Sequence, residues 1–145
     1  MLDINKEIKA AMLAKDAVRL ASLRAVKTAF IMAETEKGAG DLTAEGQLKI
    51  IQKQVKQRKD AATIYQEQGR EDLAADELAQ IAVLESFLPE PMSDSDLEKV
   101  VASIIAQVGA TSMADMGKVM AAASQQLSGQ ADGKLIAAKV RQLLA

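Results

Sequence analysis

The chain of 145 residues contains no cysteine, histidine or tryptophan, and its aromatic residues are one tyrosine and two phenylalanines. Without cysteine no disulfide can form, so nothing points to secretion. The usual zinc sites need cysteine or histidine, and neither a thiol nucleophile nor an imidazole base is available. We therefore expect an aliphatic core, no metal, no cofactor and no catalytic centre.

An excess of charge of one sign is also missing. The chain has 18 basic and 20 acidic residues, a formal net charge of -2, whereas a strongly basic balance would have favoured nucleic acid as a partner. Residues 1–7 lack the apolar stretch of a signal peptide, and no apolar run approaches the ~20 residues that cross a bilayer. We expect a cytoplasmic protein that does not enter a membrane.

What the chain has is alanine and other aliphatic residues at helical spacing. Hydrophobic residues make up 49% of the sequence, and a composition rich in alanine and poor in aromatics favours helix over strand. Thr43 is placed to cap one helix, and Gly69 to end it. The periodicity predicts an all-α fold of seven helices, over residues 3–15, 16–37, 43–68, 70–88, 93–108, 112–127 and 132–144.

Pro89 and Pro91 form the strongest boundary signal in the sequence. Two prolines one residue apart cannot continue a helix, and each favours an extended conformation in the residue before it. We predict a linker at residues 89–92, between a four-helix N-terminal domain, 1–88, and a smaller three-helix C-terminal domain, 93–145.

Short polar motifs predict helix ends beyond this linker. Ser93 followed by Asp96, and Ser112 followed by Asp115, both resemble capping boxes that open a helix. Ser128–Gly129 is predicted to break the chain before the last helix.

Several charged residues fall on or beside the apolar faces of the N-terminal helices. They are Lys27, Glu34, Arg58, Glu77 and Glu85. An unpaired charge on a buried face is costly, so we expect ion pairs between helices, with Arg58 meeting Glu77 or Glu85. Paired carboxylates can also do acid–base chemistry, but no nucleophile or metal cluster accompanies these, which favours the structural interpretation.

Lys49, Lys53 and Lys56 share one face of the third helix, opposite its apolar stripe. One interpretation is a ridge that contacts phosphates. The alternative is a solvated face whose charge Asp60 and Glu67 balance. Recognition of single strands by aromatic stacking is not expected, because the aromatic residues for it are absent.

Six stretches of the chain, in order, resemble the GatB/YqeY family. They are Leu23–Lys27, Lys53–Arg58, Gln68–Leu73, Glu85–Glu90, Ser112–Met120 and Gly129–Lys134. Each stretch alone is a weak signal, but six in order are specific and cover essentially the whole chain.

The resemblance implies an all-helical fold and kinship with the tail domain of the B subunit of the glutamine-dependent tRNA amidotransferase. That enzyme converts misacylated Glu-tRNA(Gln) or Asp-tRNA(Asn) to the amide form. Its kinase and transamidase chemistry lies outside the tail, which contacts tRNA, so the carbon–nitrogen ligase label of the family does not imply activity here. By matching position, Lys118 and Lys134 are candidate tRNA contacts, and Arg141 shares a helix face with Lys134.

Two features of the C-terminal motifs bear on these contacts. The amidotransferase tail reads closer to Asn-Pro where this chain has Asp132–Gly133, which weakens the inference of a tRNA contact at that turn. Met116, Val119 and Met120 are interpreted as packing residues, with Gly117 admitting the close approach of another helix.

The sequence leaves two functions open besides a disfavoured enzyme at the Glu77/Glu85 region. The first is a non-catalytic tRNA-binding or amidotransferase-related accessory module. The second is a protein–protein interaction adaptor without RNA contact, which exposed Met or Leu side chains on a C-terminal helix would favour.

Overall fold

The computed structural model describes residues 1–36, 38, 40–127 and 130–145. Over these residues the chain forms α-helices and no strand, which confirms the all-α prediction. The helices are α1 (Ile4–Leu13), α2 (Ala17–Thr35), α3 (Ala44–Glu67), α4 (Glu71–Glu85), α5 (Asp94–Val108), α6 (Met116–Gln126) and α7 (Gly133–Leu144). The predicted helix end at Lys37 and the predicted break at Ser128–Gly129 lie outside the described residues.

The chain divides into two compact units, residues 1–88 and 89–145, called here the N-terminal and C-terminal units. Each buries its own hydrophobic cluster. The N-terminal cluster consists of Val26, Phe30, Ile51, Val55, Ile81 and Leu84. The C-terminal cluster consists of Leu97, Val101, Ile104, Val119, Ala123, Leu127, Ile136, Val140 and Leu144.

Side-chain caps begin α3 and α5 as expected. The Thr43 hydroxyl accepts a hydrogen bond from the Gly46 backbone N–H at 3.0 Å. The Ser93 hydroxyl accepts one from the Asp96 N–H at 3.1 Å. Each bond satisfies one of the backbone donors that the first turn of a helix leaves without a partner.

The second predicted capping box, at Ser112 and Asp115, is wrong. Ser112 makes no side-chain cap bond, and a single 3₁₀ turn, Met113–Asp115, precedes α6. Asp115 therefore stands before α6, and its carboxylate reaches back to accept the Thr111 backbone N–H at 3.0 Å.

Helix α4 ends at Glu85, three residues before the predicted end at Leu88. The Phe87 and Leu88 N–H groups donate to the Leu84 and Glu85 carbonyls at 3.1 Å, a tighter i→i−3 pattern. The cause is Pro89, which disfavours helical geometry in the residue before it.

Over the described ranges, no single helix is long and apolar enough to span a membrane. One pair of segments is long and apolar enough when the two are taken together: Asp94–Val108 and Met113–Gln126. The chain bends by 90° between them. Val101 and Val119 of this pair are buried in the C-terminal cluster.

Two glycines of the C-terminal unit have different roles. Gly109 ends α5 with a φ of 69°, and the Ala110 N–H donates to the Ile105 carbonyl at 3.1 Å, as in a Schellman motif. Gly117 is exposed in α6, and a Cβ there would meet nothing within 4 Å. The expected close approach of another helix at Gly117 is therefore wrong.

We predict opposite effects for alanine at these positions. Gly109→Ala should lower the free energy of unfolding by about 1 kcal/mol, because an L-residue is strained at positive φ. Gly117→Ala should raise it by up to about 1 kcal/mol, because alanine loses less backbone entropy in a helix. Urea unfolding of the two variants beside wild type measures both changes. A lower free energy of unfolding for Gly117→Ala would contradict the finding that a Cβ at residue 117 meets nothing within 4 Å.

Candidate nucleic-acid interface

The three cations predicted to contact tRNA lie in the C-terminal unit. Lys118 is in the first turn of α6, and Lys134 and Arg141 are on α7, which packs against α6. All three side chains are exposed, and none forms an ion pair with another described residue. Their charges are therefore available to an anionic partner.

Two carboxylates stand beside these cations. A hydrogen bond from the Thr111 backbone N–H, with the charge of Lys118 contributing, holds the pKa of Asp115 below its ordinary value. Asp132 caps α7 by accepting the Lys134 backbone N–H at 3.2 Å. The negative charge of Asp115 offsets part of the positive potential around Lys118. Of Lys118 and Lys134, Lys118 is therefore the more shielded.

Lys49, Lys53 and Lys56 are all exposed on α3. Lys49 pairs with Glu45 at 3.2 Å, one turn earlier on the same helix. Within the described residues, Lys53 and Lys56 have no ion-pair partner. Two of the three ridge lysines thus keep their charges open to solvent.

Arg58 lies between α3 and α4, with its Nη1 atom 3.3 Å from Oε2 of Glu77. The two side chains are 19% and 20% exposed. Glu85 lies elsewhere on α4 and accepts Lys59 Nζ at 3.2 Å in a much more exposed pair. Among the described residues no group of three or more acidic side chains could hold a metal ion.

The structure does not bring Lys27 and Glu34 into these contacts. Lys27 is half-buried and Glu34 is exposed on α2, and neither forms an ion pair with another described residue. The ion pairs expected for these two residues, on or beside the apolar face of α2, are therefore wrong for the described part of the chain, because a long side chain can keep its charged end in water.

A pocket of about 270 Å³ opens beside Arg58. Its lining comes from α2, α3 and α4 and consists of Ala25, Gln54, Gln57, Arg58, Ala61 and Glu77. Gln54 Nε2 donates to the Ala25 carbonyl at 3.2 Å and ties α3 to α2. Gln54 Oε1 and Arg58 Nε are buried without a hydrogen-bond partner in the described part of the chain.

Leu78 shares the helical spacing of Ala74, Ile81 and Leu84, but it is 49% exposed. Ala74, Ile81 and Leu84 form the buried stripe, and Glu77 turns inward beside them. The period of the sequence defines the centre of a helix face, but it does not decide which edge a neighbouring helix will cover.

Sequence reasoning missed Lys139, which is buried on α7 with 6% of its surface exposed. Its Nζ atom lies 2.9 Å from Asp94 Oδ1, on α5, and 3.3 Å from Gln142 Oε1. Its burial could have been predicted from the sequence, because Lys139 lies between Ile136 and Val140 on the apolar face of α7. The pair joins α5 to α7 and withdraws this lysine from any binding surface.

The family model described as Yqey-like protein matches residues 2–144. The match covers nearly the whole chain, so this protein belongs to the YqeY-like family, which confirms the resemblance seen in its motifs. No curated protein matches it. Family membership supports a domain that resembles the amidotransferase tail, and it does not by itself indicate an activity.

The two ion pairs between α3 and α4 should differ in their contribution to stability. Arg58→Met leaves the poorly solvated Glu77 carboxylate without its partner, so we expect a loss of about 1–3 kcal/mol in the free energy of unfolding. Glu85→Gln, at the exposed pair, should cost less than about 0.5 kcal/mol. Urea unfolding measures both, and equal losses would contradict the structural role assigned to Arg58.

Proposed function

We propose that this protein is a non-catalytic accessory module that binds tRNA through its C-terminal unit and works in the cytoplasm. The observation that carries the proposal is a set of exposed cations on α6 and α7 that form no ion pair with another described residue: Lys118, Lys134 and Arg141. They belong to a chain of the YqeY-like family, whose kinship with the amidotransferase tail favours tRNA as the partner.

The physical basis is neutralisation of phosphates by a small local group of cations. The whole chain carries a net charge of -2, so attraction must come from this surface and not from the overall field. Lysine and arginine release condensed counterions when they meet phosphates, and affinity then falls with salt in proportion to the number of contacts. Three contacts predict a modest salt dependence.

Fluorescence anisotropy of labelled tRNA tests the proposal. With three phosphate contacts, binding should weaken by about 40-fold between 50 mM and 200 mM salt. The variant Lys118→Glu/Lys134→Glu/Arg141→Glu should lose at least about tenfold in affinity at low salt, because each substitution replaces an attraction by a repulsion.

A matched control carries the same change of charge at exposed lysines of α1 and the turn after it, Lys6→Glu/Lys9→Glu/Lys15→Glu, and should bind within a few-fold of wild type. If the C-terminal variant binds like wild type while Lys49→Glu/Lys53→Glu/Lys56→Glu loses binding, the tRNA surface lies on α3. No binding by wild type at about 10 μM and low salt would contradict the proposal, since even non-specific binding reaches that range.

A second function, that of a protein-interaction adaptor, is favoured by exposed apolar side chains in the C-terminal unit. Leu135 on α7 is 60% exposed, and Met113 in the turn before α6 is 44% exposed. Single exposed apolar residues are common on protein surfaces, so this observation is weaker than the set of cations. Leu135 is next to Lys134, so the two functions would use the same helix.

Sedimentation equilibrium tests self-association through this surface. If Leu135 anchors a second copy of the chain, the weight-average mass should rise with concentration, and Leu135→Glu should weaken the association by about tenfold or more. Ala138→Glu, which adds the same charge at another exposed position on α7, should leave it unchanged. A monomer at all concentrations would exclude self-association as the adaptor function.

A further inference from the structure

The pocket beside Arg58 has features of a binding site that its structural role does not require. Ala25 and Ala61 contribute little side-chain volume, and they leave about 270 Å³ where α2, α3 and α4 meet. That volume is just below the range of about 300–1,000 Å³ that is usual for small-molecule sites. It is large enough for one ring system and too small for an extended ligand.

The polar groups around this space are neutral in sum. Arg58 and Glu77 cancel each other's charge, and Gln54 and Gln57 are uncharged amides. Arg58 Nε is a donor and Gln54 Oε1 is an acceptor, one helical turn apart, and both are buried without partners in the described residues. Leaving such groups unpaired is costly, so a ligand that pairs both is stabilised.

Turned towards the pocket, Arg58 Nε–H and Gln54 Oε1 would present a donor and an acceptor to a flat edge that carries an acceptor and a donor. Nucleobases carry such an edge, and glutamine and arginine are side chains that read it. The contact between Arg58 Nη1 and Glu77 Oε2 is 3.3 Å. Because Arg58 Nε and Gln54 Oε1 are both buried, pairing with a ligand requires the guanidinium and the amide to turn towards the pocket.

The charges at the pocket rim also favour a nucleotide. Lys53 precedes Gln57 by four residues, so the two lie on the same face of α3 about one turn apart. Lys53 is exposed and has no ion-pair partner among the described residues. Asp60 lies about one turn beyond Gln57 along the helix, so a phosphate is attracted more strongly on the Lys53 side of Gln57 than on the Asp60 side.

We propose that the pocket formed by Ala25, Gln54, Gln57, Arg58, Ala61 and Glu77 binds an unstacked nucleobase of RNA, with the attached phosphate at Lys53. The inference extends the proposed function, since it takes RNA as the ligand, and it adds a base-binding site in the N-terminal unit. Gln54 and Arg58 pair with the base edge, and Ala25 and Ala61 give the ring its space.

Two-dimensional ¹H–¹⁵N NMR titrations of the full chain with AMP, GMP, CMP and UMP test this site. At least one nucleotide should shift the backbone amide signals of residues 25, 54, 57 and 61 at concentrations up to about 10 mM. Ribose 5-phosphate, which lacks a base, should not shift them. N-acetylglutaminamide, which mimics a protein side chain, should not shift them either.

Variants then locate the ligand. Ala61→Leu fills the pocket and should weaken nucleotide binding about tenfold or more, whereas Ala79→Leu, at an exposed position on α4, should not change it. Lys53→Glu should weaken binding of the nucleotide but not of the corresponding nucleoside.

Three results would overturn the site: no shifts with any nucleotide, equal shifts with ribose 5-phosphate or N-acetylglutaminamide, or unchanged binding in Ala61→Leu. The first two are measured on wild type and do not depend on the folding of a variant. The variant Lys118→Glu/Lys134→Glu/Arg141→Glu should keep the nucleotide shifts. If tRNA does not bind while the nucleotide shifts remain, the proposed function is wrong and the pocket is supported. If tRNA binds while no nucleotide shifts the pocket signals, the pocket is wrong and the C-terminal surface is supported.

Discussion

A buried guanidinium needs a carboxylate beside it, because an unpaired charge in a protein interior costs several kcal/mol. In the N-terminal unit Arg58 lies on the inner face of α3, and this requirement selects Glu77 as the residue of α4 that turns inward. Gln54, one turn away, binds the Ala25 carbonyl and brings α2 to the same place. The meeting of three helices at a charged pair and two alanines leaves the pocket there, since no large apolar side chain fills it.

The shortage of aromatic residues shapes the rest of the molecule. Each unit has a small core of mainly aliphatic side chains, with Phe30 the one aromatic member among the buried residues described, and such cores gain stability mainly from the area they remove from water. The pair of Lys139 with Asp94 joins two helices within the C-terminal unit. A cation used in this way is lost to binding, so the candidate nucleic-acid interface consists of exposed cations that form no ion pair with another described residue.

The balance between the two proposed functions depends on one helix. On α7, Lys134 and Arg141 face solvent, and Leu135 is exposed beside them, while Lys139 is buried. Phosphate binding uses the cations and an adaptor would use the leucine, and these demands are compatible with one partner that has both phosphates and apolar surface.

The sequence by itself determined the all-α class, the family, the cap at Thr43 and the interruption of helix around Pro89. These features depend on residues a few positions apart, which helical periodicity and capping chemistry read directly. Only the tertiary structure decided that Arg58 meets Glu77 and not Glu85, that Leu78 faces solvent, and which lysines stay unpaired. Such outcomes depend on the edge of each helix that another helix covers, and residues far apart in the chain set that geometry.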